Sequence, residues 1–238
     1  MTDKPLSNQI ALVTGASRGI GAATAEALAV QGAHVILTAR TAKALEEVEE
    51  RIHASGGTAT IAPMDMLDGD SIGRLAHAVS ERWGKLDILV LNAAMLGSLA
   101  PAQHLDPKEF GQVLTLNVGA QAVMISAFDA LLRASGHGRV FGITSSVGRT
   151  PRAYWGGYGA SKAAFDTLLG AYADEQANLG RIRVAIIDPG ATRTRMRAEA
   201  YPGEDPATVK DPALVGARIA ALAVDGFETG LRERVEAS

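Results

Sequence analysis

The chain has 238 residues, a formal net charge of −3 at pH 7 and no cysteine, with 47% hydrophobic and 21% charged residues. That balance suits a single α/β domain over residues 1–238 with a substantial core, and it gives no electrostatic footing for nucleic acid or an anionic membrane. The lack of thiols excludes disulfides and thiolate metal sites and agrees with a reducing, cytoplasmic setting.

Residues 1–9 contain no apolar core of a secretory signal. The first apolar run, Ile10-Ala-Leu-Val13, ends in Thr14-Gly-Ala-Ser-Arg-Gly-Ile-Gly21, and residues 22–31 read as helix. Strand, glycine turn, helix is the context a phosphate-binding turn needs: glycines allow close backbone approach, and the helix N-terminus offers free N–H groups to an anion. The alternative is a tight strand–helix turn without a ligand. A second strand over 35–38 closes with Ala39-Arg40-Thr41 before a charged helix over 42–54, and a third strand over 58–63 leads into Met64-Asp65-Met66. A cap from Asp68 or Ser71 suits the helix that runs to Trp83.

A fourth strand over 86–90 is followed by Leu91-Asn-Ala-Ala94. Residues 110–128 carry no charge, but Gly111, Gln112, Thr115, Asn117, Gly119, Gln121 and Ser126 make a buried helix the better reading than a membrane span. Asn117 stands out there, because asparagine is a mediocre helix former whose side chain competes for backbone bonds. It is either a satisfied core polar group or a functional one. The fifth strand, 140–143, delivers Thr144-Ser-Ser-Val-Gly148 to its carboxyl end, where open α/β sheets bind ligands.

Tyr158 and Lys162 follow, one helical turn apart on a helix reaching about residue 179. A phenol of pKa about 10 is a poor acid or base at pH 7, and an ammonium on the same face is expected to lower it toward a useful range. The apolar residues of this helix and of the Asn117 helix spread over more than one face, which predicts a homodimer or homotetramer built on both. A sixth strand over 183–187 leads to Asp188-Pro-Gly-Ala-Thr-Arg-Thr194 and a lid-like segment over about 191–211, basic at Arg193, Arg195 and Arg197. That segment reads equally as a solvated loop. Residues 231–235 make a poor strand, best read as a short edge.

The spacing Thr14-Gly15-x-x-x-Gly19-x-Gly21 with Tyr158-x-x-x-Lys162 resembles the short-chain dehydrogenase/reductase family along almost the whole chain, and looks most like its YciK-like bacterial branch. The resemblance implies a Rossmann-type, doubly wound, mostly parallel sheet of about seven strands with helices on both faces. It implies a catalytic set of Asn117, Ser145, Tyr158 and Lys162, with Ser145, thirteen positions before Tyr158, preferred over Ser146. In this set Asn117 orders a water linking Lys162 to solvent. It implies cofactor contacts from Gly15, Ser17, Arg18, Gly19, Ile20 and Gly21 in the turn, Arg40 after the second strand, and Asp65 and Met66 at the adenine. Asn92 and Ala93 keep half of the family's Asn-Asn-Ala-Gly pattern, while Leu91 and Ala94 depart from it. Pro189, Gly190, Thr192 and Thr194 are implied at the nicotinamide, with Tyr158 and Lys162 beside it.

Ala39 stands where NAD-preferring relatives place an acid, and Arg40 and Arg18 could meet a 2′-phosphate, so NADP is expected over NAD. A solvated surface role for each arginine is the plainer alternative. The expected partner is a small carbonyl or alcohol substrate. No metal is expected from five scattered histidines. Two rival readings are a cofactor-sensing regulator on this fold, which would commonly have lost the tyrosine or lysine, and a longer sugar-nucleotide epimerase, which needs a C-terminal substrate domain.

Overall fold

The computed structural model describes residues 4–236. Seven strands form one parallel sheet in the order β3-β2-β1-β4-β5-β6-β7. They are β1 (Ile10–Thr14), β2 (His34–Thr38), β3 (Thr58–Ile61), β4 (Ile88–Leu91), β5 (Gly138–Ile143), β6 (Ile182–Asp188) and β7 (Leu231–Arg234). The chain winds outward from β1 in one direction through β3, then restarts at β4 and winds the other way. That reversal between β1 and β4 opens a crevice at the carboxyl edge, the place where such sheets bind ligands.

Both faces of the sheet are covered, so the strands are apolar on both sides. Ala11 and Val13 of β1 point to one face, against Leu28 of α1 (Gly19–Val30), Leu45 and Val48 of α2 (Ala42–Ala54) and Val215 and Ile219 of α8 (Pro212–Asp225). Ile10 and Leu12 point to the other. There they meet Ile72 of α3 (Gly69–Trp83), Met124 and Phe128 of α5 (Ala120–Ser135), and Phe165 and Leu169 of α6 (Gly156–Ala177). Asp68 caps α3 by accepting from the Asp70 N–H at 3.2 Å. The third strand stops at Ile61, two residues before Pro63, which has no N–H for a ladder.

The uncharged stretch lies in one continuous helix with a π-helical turn inside it: α4 (Pro107–Leu114), the turn over Thr115–Gly119, then α5. Pro107–Ser135 is long and apolar enough to cross a membrane. Here it packs its apolar side, including Val113, Met124, Phe128 and Leu132, into the protein interior. The edge strand β7 forms despite its charged sequence because its side chains are paired. Arg232 reaches Asp166 of α6 at 2.5 Å, and Glu233 meets Arg218 of α8 at 2.6 Å.

The large apolar residues of α6, Phe165, Leu169 and Tyr172, lie in the subunit's own core. What α6 leaves exposed is a face of small residues, Ala160, Ala164, Thr167 and Ala171. The wide stripe read from the sequence therefore has two parts, one inward and one outward, and only the outward part is open to a partner.

Candidate active site

The carboxyl ends of β1, β4, β5 and β6 bring together most of the residues singled out in the sequence. After β1, Gly15 turns with φ +64°, a backbone region that favours glycine. A Cβ on Gly21 would lie 2.3 Å from the Gly15 carbonyl oxygen, so two glycines are needed for the turn to close. The helix that follows begins at Gly19 with no side-chain cap from Arg18 and no acid in its first turn, leaving its N–H groups and positive dipole end open to an anion. Ser17 and Ile20 are partly exposed at this turn, and Arg18 is exposed.

The Asn92 side chain is committed to holding the turn. Its Nδ2 donates to the Thr14 and Gly15 carbonyls at 2.8 and 3.2 Å, while its backbone N–H and that of Ala93 donate to Thr14 Oγ1. Arg40 is exposed beyond β2, and among the described residues neither it nor Arg18 pairs with a carboxylate. Asp65 is exposed and accepts from the Leu67 N–H at 3.0 Å. Met66, expected to bracket an adenine ring, is instead buried at 7% exposure among Ile36 and Ile72. Its side chain belongs to the core.

The six residues after β6 close the crevice from the other side. Gly190 has φ +61°, and Thr192 Oγ donates to the Pro189 carbonyl at 2.9 Å. Thr194 caps α7 (Arg195–Ala200) by accepting from the Arg197 N–H at 3.1 Å. A Cβ on Gly19 would meet Thr194 Cγ2 at 3.2 Å, so this segment and the glycine turn touch. The lid-like stretch is a short helix with its charges internally matched. Arg193 pairs with Asp211, Arg195 with Glu199 and Arg197 with Glu204. The basic character read from the sequence is thus neutralised locally.

Tyr158 and Lys162 are both buried, at 8% and 3% exposure. The lysine Nζ donates to the Ile143 carbonyl at 2.8 Å and stands 5.7 Å from the centre of the Tyr158 ring. The sequence argument expects the ammonium to lower the phenol. Burial instead pushes Tyr158 well above its usual range, and the Asp188 carboxylate adds to the shift. Burial pushes Lys162 down to about 8. Desolvation disfavours each charged form, and here it outweighs their mutual attraction. At pH 7 the phenol is neutral and the lysine still largely protonated.

Asn117 sits in the π turn, a helix irregularity often found at functional positions. Its Oδ1 accepts from the Met95 N–H at 2.9 Å, and its Nδ2 donates to the Met95 carbonyl at 2.9 Å and to Ser161 Oγ at 3.0 Å. Ser161 in turn donates to the Tyr158 carbonyl at 2.7 Å. Both amide donors of Asn117 are therefore spent on holding the loop after β4 against the helix of Tyr158. One turn on, Gln121 repeats the arrangement by donating to the Ala93 and Leu116 carbonyls at 2.9 and 3.1 Å.

Ser145 and Ser146 line a cavity of about 200 Å³ together with Trp155 and Tyr201. Trp155 lies with its ring centre 6.0 Å from that of Tyr158 and 5.8 Å from that of Tyr201. The sequence reading does not single out Trp155, Tyr201 or the buried Ser161. The only signal for Ser161 is its place directly before Lys162 in the motif.

These features have known counterparts. Residues 9–205 match the short chain dehydrogenase family, and the chain belongs to that family of oxidoreductases. It is 38% identical over 211 residues to the oxidoreductase YciK of Escherichia coli K12, covering 87% of this chain and 83% of YciK. A short chain dehydrogenase from Shigella flexneri, solved in complex with NADP, superposes with a TM-score of 0.94 at 35% identity, over 99% of this chain and 100% of that one. Another from Escherichia coli CFT073, in complex with NADPH, gives a TM-score of 0.91 at 35% identity over 100% of both.

Proposed function

We propose that this protein is an NADP(H)-dependent carbonyl reductase in which Tyr158 is the proton donor. The observation that carries the proposal is a buried tyrosine one helical turn from a buried lysine, its ring centre 6.0 Å from that of Trp155 in the cavity that Ser145 lines. The glycine turn, its uncapped helix N-terminus and the two unpaired arginines fit a phosphorylated dinucleotide, and the related structures with NADP and NADPH support the same choice. Gly15 to Gly21 would hold the pyrophosphate, Arg40 and Arg18 the 2′-phosphate, Asp65 the adenine side, and Pro189 to Thr194 the nicotinamide end.

NADPH, when bound, supplies the hydride. Ser145 and Tyr158 hold the substrate's carbonyl oxygen through their hydroxyls, and Tyr158 gives that oxygen its proton as the carbon is reduced. Burial keeps the proton on the Tyr158 hydroxyl, the form a donor must start from, and the Lys162 ammonium 5.7 Å from its ring is the group that would make the phenol more acidic as the reaction proceeds. Lys162 binds the ribose hydroxyls and returns a proton toward Tyr158 through solvent. Asn117 positions the tyrosine helix through Ser161, and the π turn around it gives a relay water its backbone footing. The lid over 191–211 closes the cleft. The exposed small-residue face of α6 and the exposed Val123 of α5 would supply the surface for a homodimer or homotetramer.

The test is Tyr158→Phe assayed by NADPH consumption on simple ketones, with NADPH binding measured alongside. Turnover should fall by roughly 100- to 10,000-fold while binding and folding persist. Near-full activity in the variant would refute the assignment.

A further inference from the structure

The cavity beside Ser145 has aromatic walls, Trp155 and Tyr201, and three arginines at its lining: Arg152, Arg197 and Arg234. They are not equivalent. Arg197 is engaged by Glu204 through two hydrogen bonds of 2.7 and 2.6 Å, and Arg234 pairs with Glu236 at 3.0 Å. Arg152 faces no carboxylate among the described residues. Its guanidinium donates to the Tyr201 hydroxyl at 2.6 Å and lies 5.9 Å from the Trp155 ring centre. The one carboxylate lining the cavity, Asp188, accepts from the Gly190 N–H at 2.9 Å.

The backbone here is held in an unusual shape. Tyr154, between Arg152 and Trp155, has φ +72°, a left-handed conformation that a bulky aromatic rarely adopts. Such strain persists where surrounding structure enforces it, often at binding segments.

We propose that this cavity takes a carbonyl substrate bearing a single carboxylate, anchored by Arg152, with its carbon chain lying against the Trp155 and Tyr201 rings and its carbonyl at Ser145. The inference rests on the reductase reading and names its substrate class. Arg152 is the one lining guanidinium with no carboxylate partner among the described residues, and its planar fork suits a carboxylate. A doubly charged phosphate ester would leave a negative charge unmatched close to Asp188 and Glu204. An uncharged ketone would leave the Arg152 fork only half used.

Two matched pairs test this: levulinate with methyl levulinate, and benzoylformate with methyl benzoylformate. Each is titrated calorimetrically into the NADP-loaded protein and assayed with NADPH, using the wild type, Arg152→Met and Tyr201→Phe. In the wild type at least one acid should bind and react with a KM about tenfold or more below that of its ester, the scale of one charge-assisted contact. Arg152→Met should abolish that preference, raising the acid's KM far more than the ester's. Tyr201→Phe removes the bond from Arg152 to the lid but keeps the guanidinium, so the preference should survive it. Equal handling of acids and esters by the wild type would overturn the inference. So would an Arg152→Met effect that falls equally on both, since that marks Arg152 as a latch for the lid, or failure of both acids to bind at millimolar concentration. Failure of the reductase reading shows differently: no compound consumes NADPH, while the calorimetric preference for an acid stands and still depends on Arg152.

Discussion

Replacing Lys162 with Met should make the protein more stable at pH 7 while abolishing its turnover. Burial holds the lysine at about 8 against an ordinary value of 10.5. A difference of about 2.5 pKa units at 1.36 kcal/mol each means that keeping the ammonium inside the folded protein costs about 3 kcal/mol at neutral pH. Met has similar length and no charge, and fills irregular apolar space well. It forfeits the 2.8 Å hydrogen bond to the Ile143 carbonyl, worth about 1 kcal/mol. The variant should therefore gain about 2 kcal/mol at pH 7.

The sign of the pH dependence follows from the same shift. Between about 8 and 10.5 the unfolded chain binds a proton on Lys162 that the folded chain does not, so wild-type stability rises with pH across that window. The variant lacks this contribution, and its advantage should shrink to about zero near pH 10. Tyr158, whose pKa is raised, loses stability above its unfolded value of 10 in both proteins, so it largely cancels in the comparison. Urea unfolding of both proteins without nucleotide, at pH 7 and pH 10 and equal concentration, measures the difference. A variant that is less stable at pH 7, or an advantage that does not change with pH, would refute the account. NADPH binding should weaken in the same variant, because the ammonium that destabilises the fold is the group proposed to hold the ribose.

Arg40→Asp should reverse the preference for NADPH over NADH by about 1–3 kcal/mol, read from dissociation constants for the two nucleotides; equal affinity of the wild type for both would refute the role of Arg40. Light scattering at micromolar concentration should show a dimer or tetramer, and a lone 24.7 kDa species would sink the assembly proposed on α5 and α6.

What was legible in the sequence is what depends on neighbours along the chain. The glycine turn, the Tyr158–Lys162 pair and the sheet's strands are set by local spacing, and they stand at one edge of the sheet as the spacing implies. The helix Pro212–Asp225 was not read, although Asp211 as cap and Pro212 in the first turn announce it locally. Features that depend on distant parts of the chain were not legible. Arg152, Arg197 and Arg234 come from three separate segments, and only the fold shows which of them is left without a carboxylate. The burial that raises Tyr158 is likewise a property of the assembled domain, which is why an argument from helix spacing alone gave the shift the opposite sign.

Asn117 shows the same boundary most sharply, because its residue type and position were readable while its partners were not. An asparagine free to hold a relay water could be removed at little cost to the fold. The side chain seen here instead bonds the Met95 N–H and carbonyl and the Ser161 hydroxyl, at 1% exposure. Asn117→Ala would strand the two Met95 groups, at about 1–3 kcal/mol for each buried polar group left unpaired. Ser161 keeps its bond to the Tyr158 carbonyl and is affected less. Two such groups sum to about 2–6 kcal/mol, and because Met95 is only partly buried unfolding should show the lower part of that range, about 2–4 kcal/mol. NADPH affinity should fall with it, because the freed loop carries Asn92 and Ala93 to the glycine turn. An Asn117→Ala protein of unchanged stability that binds NADPH normally but fails to turn over would return the side chain to the water, and leave the clamp without a function.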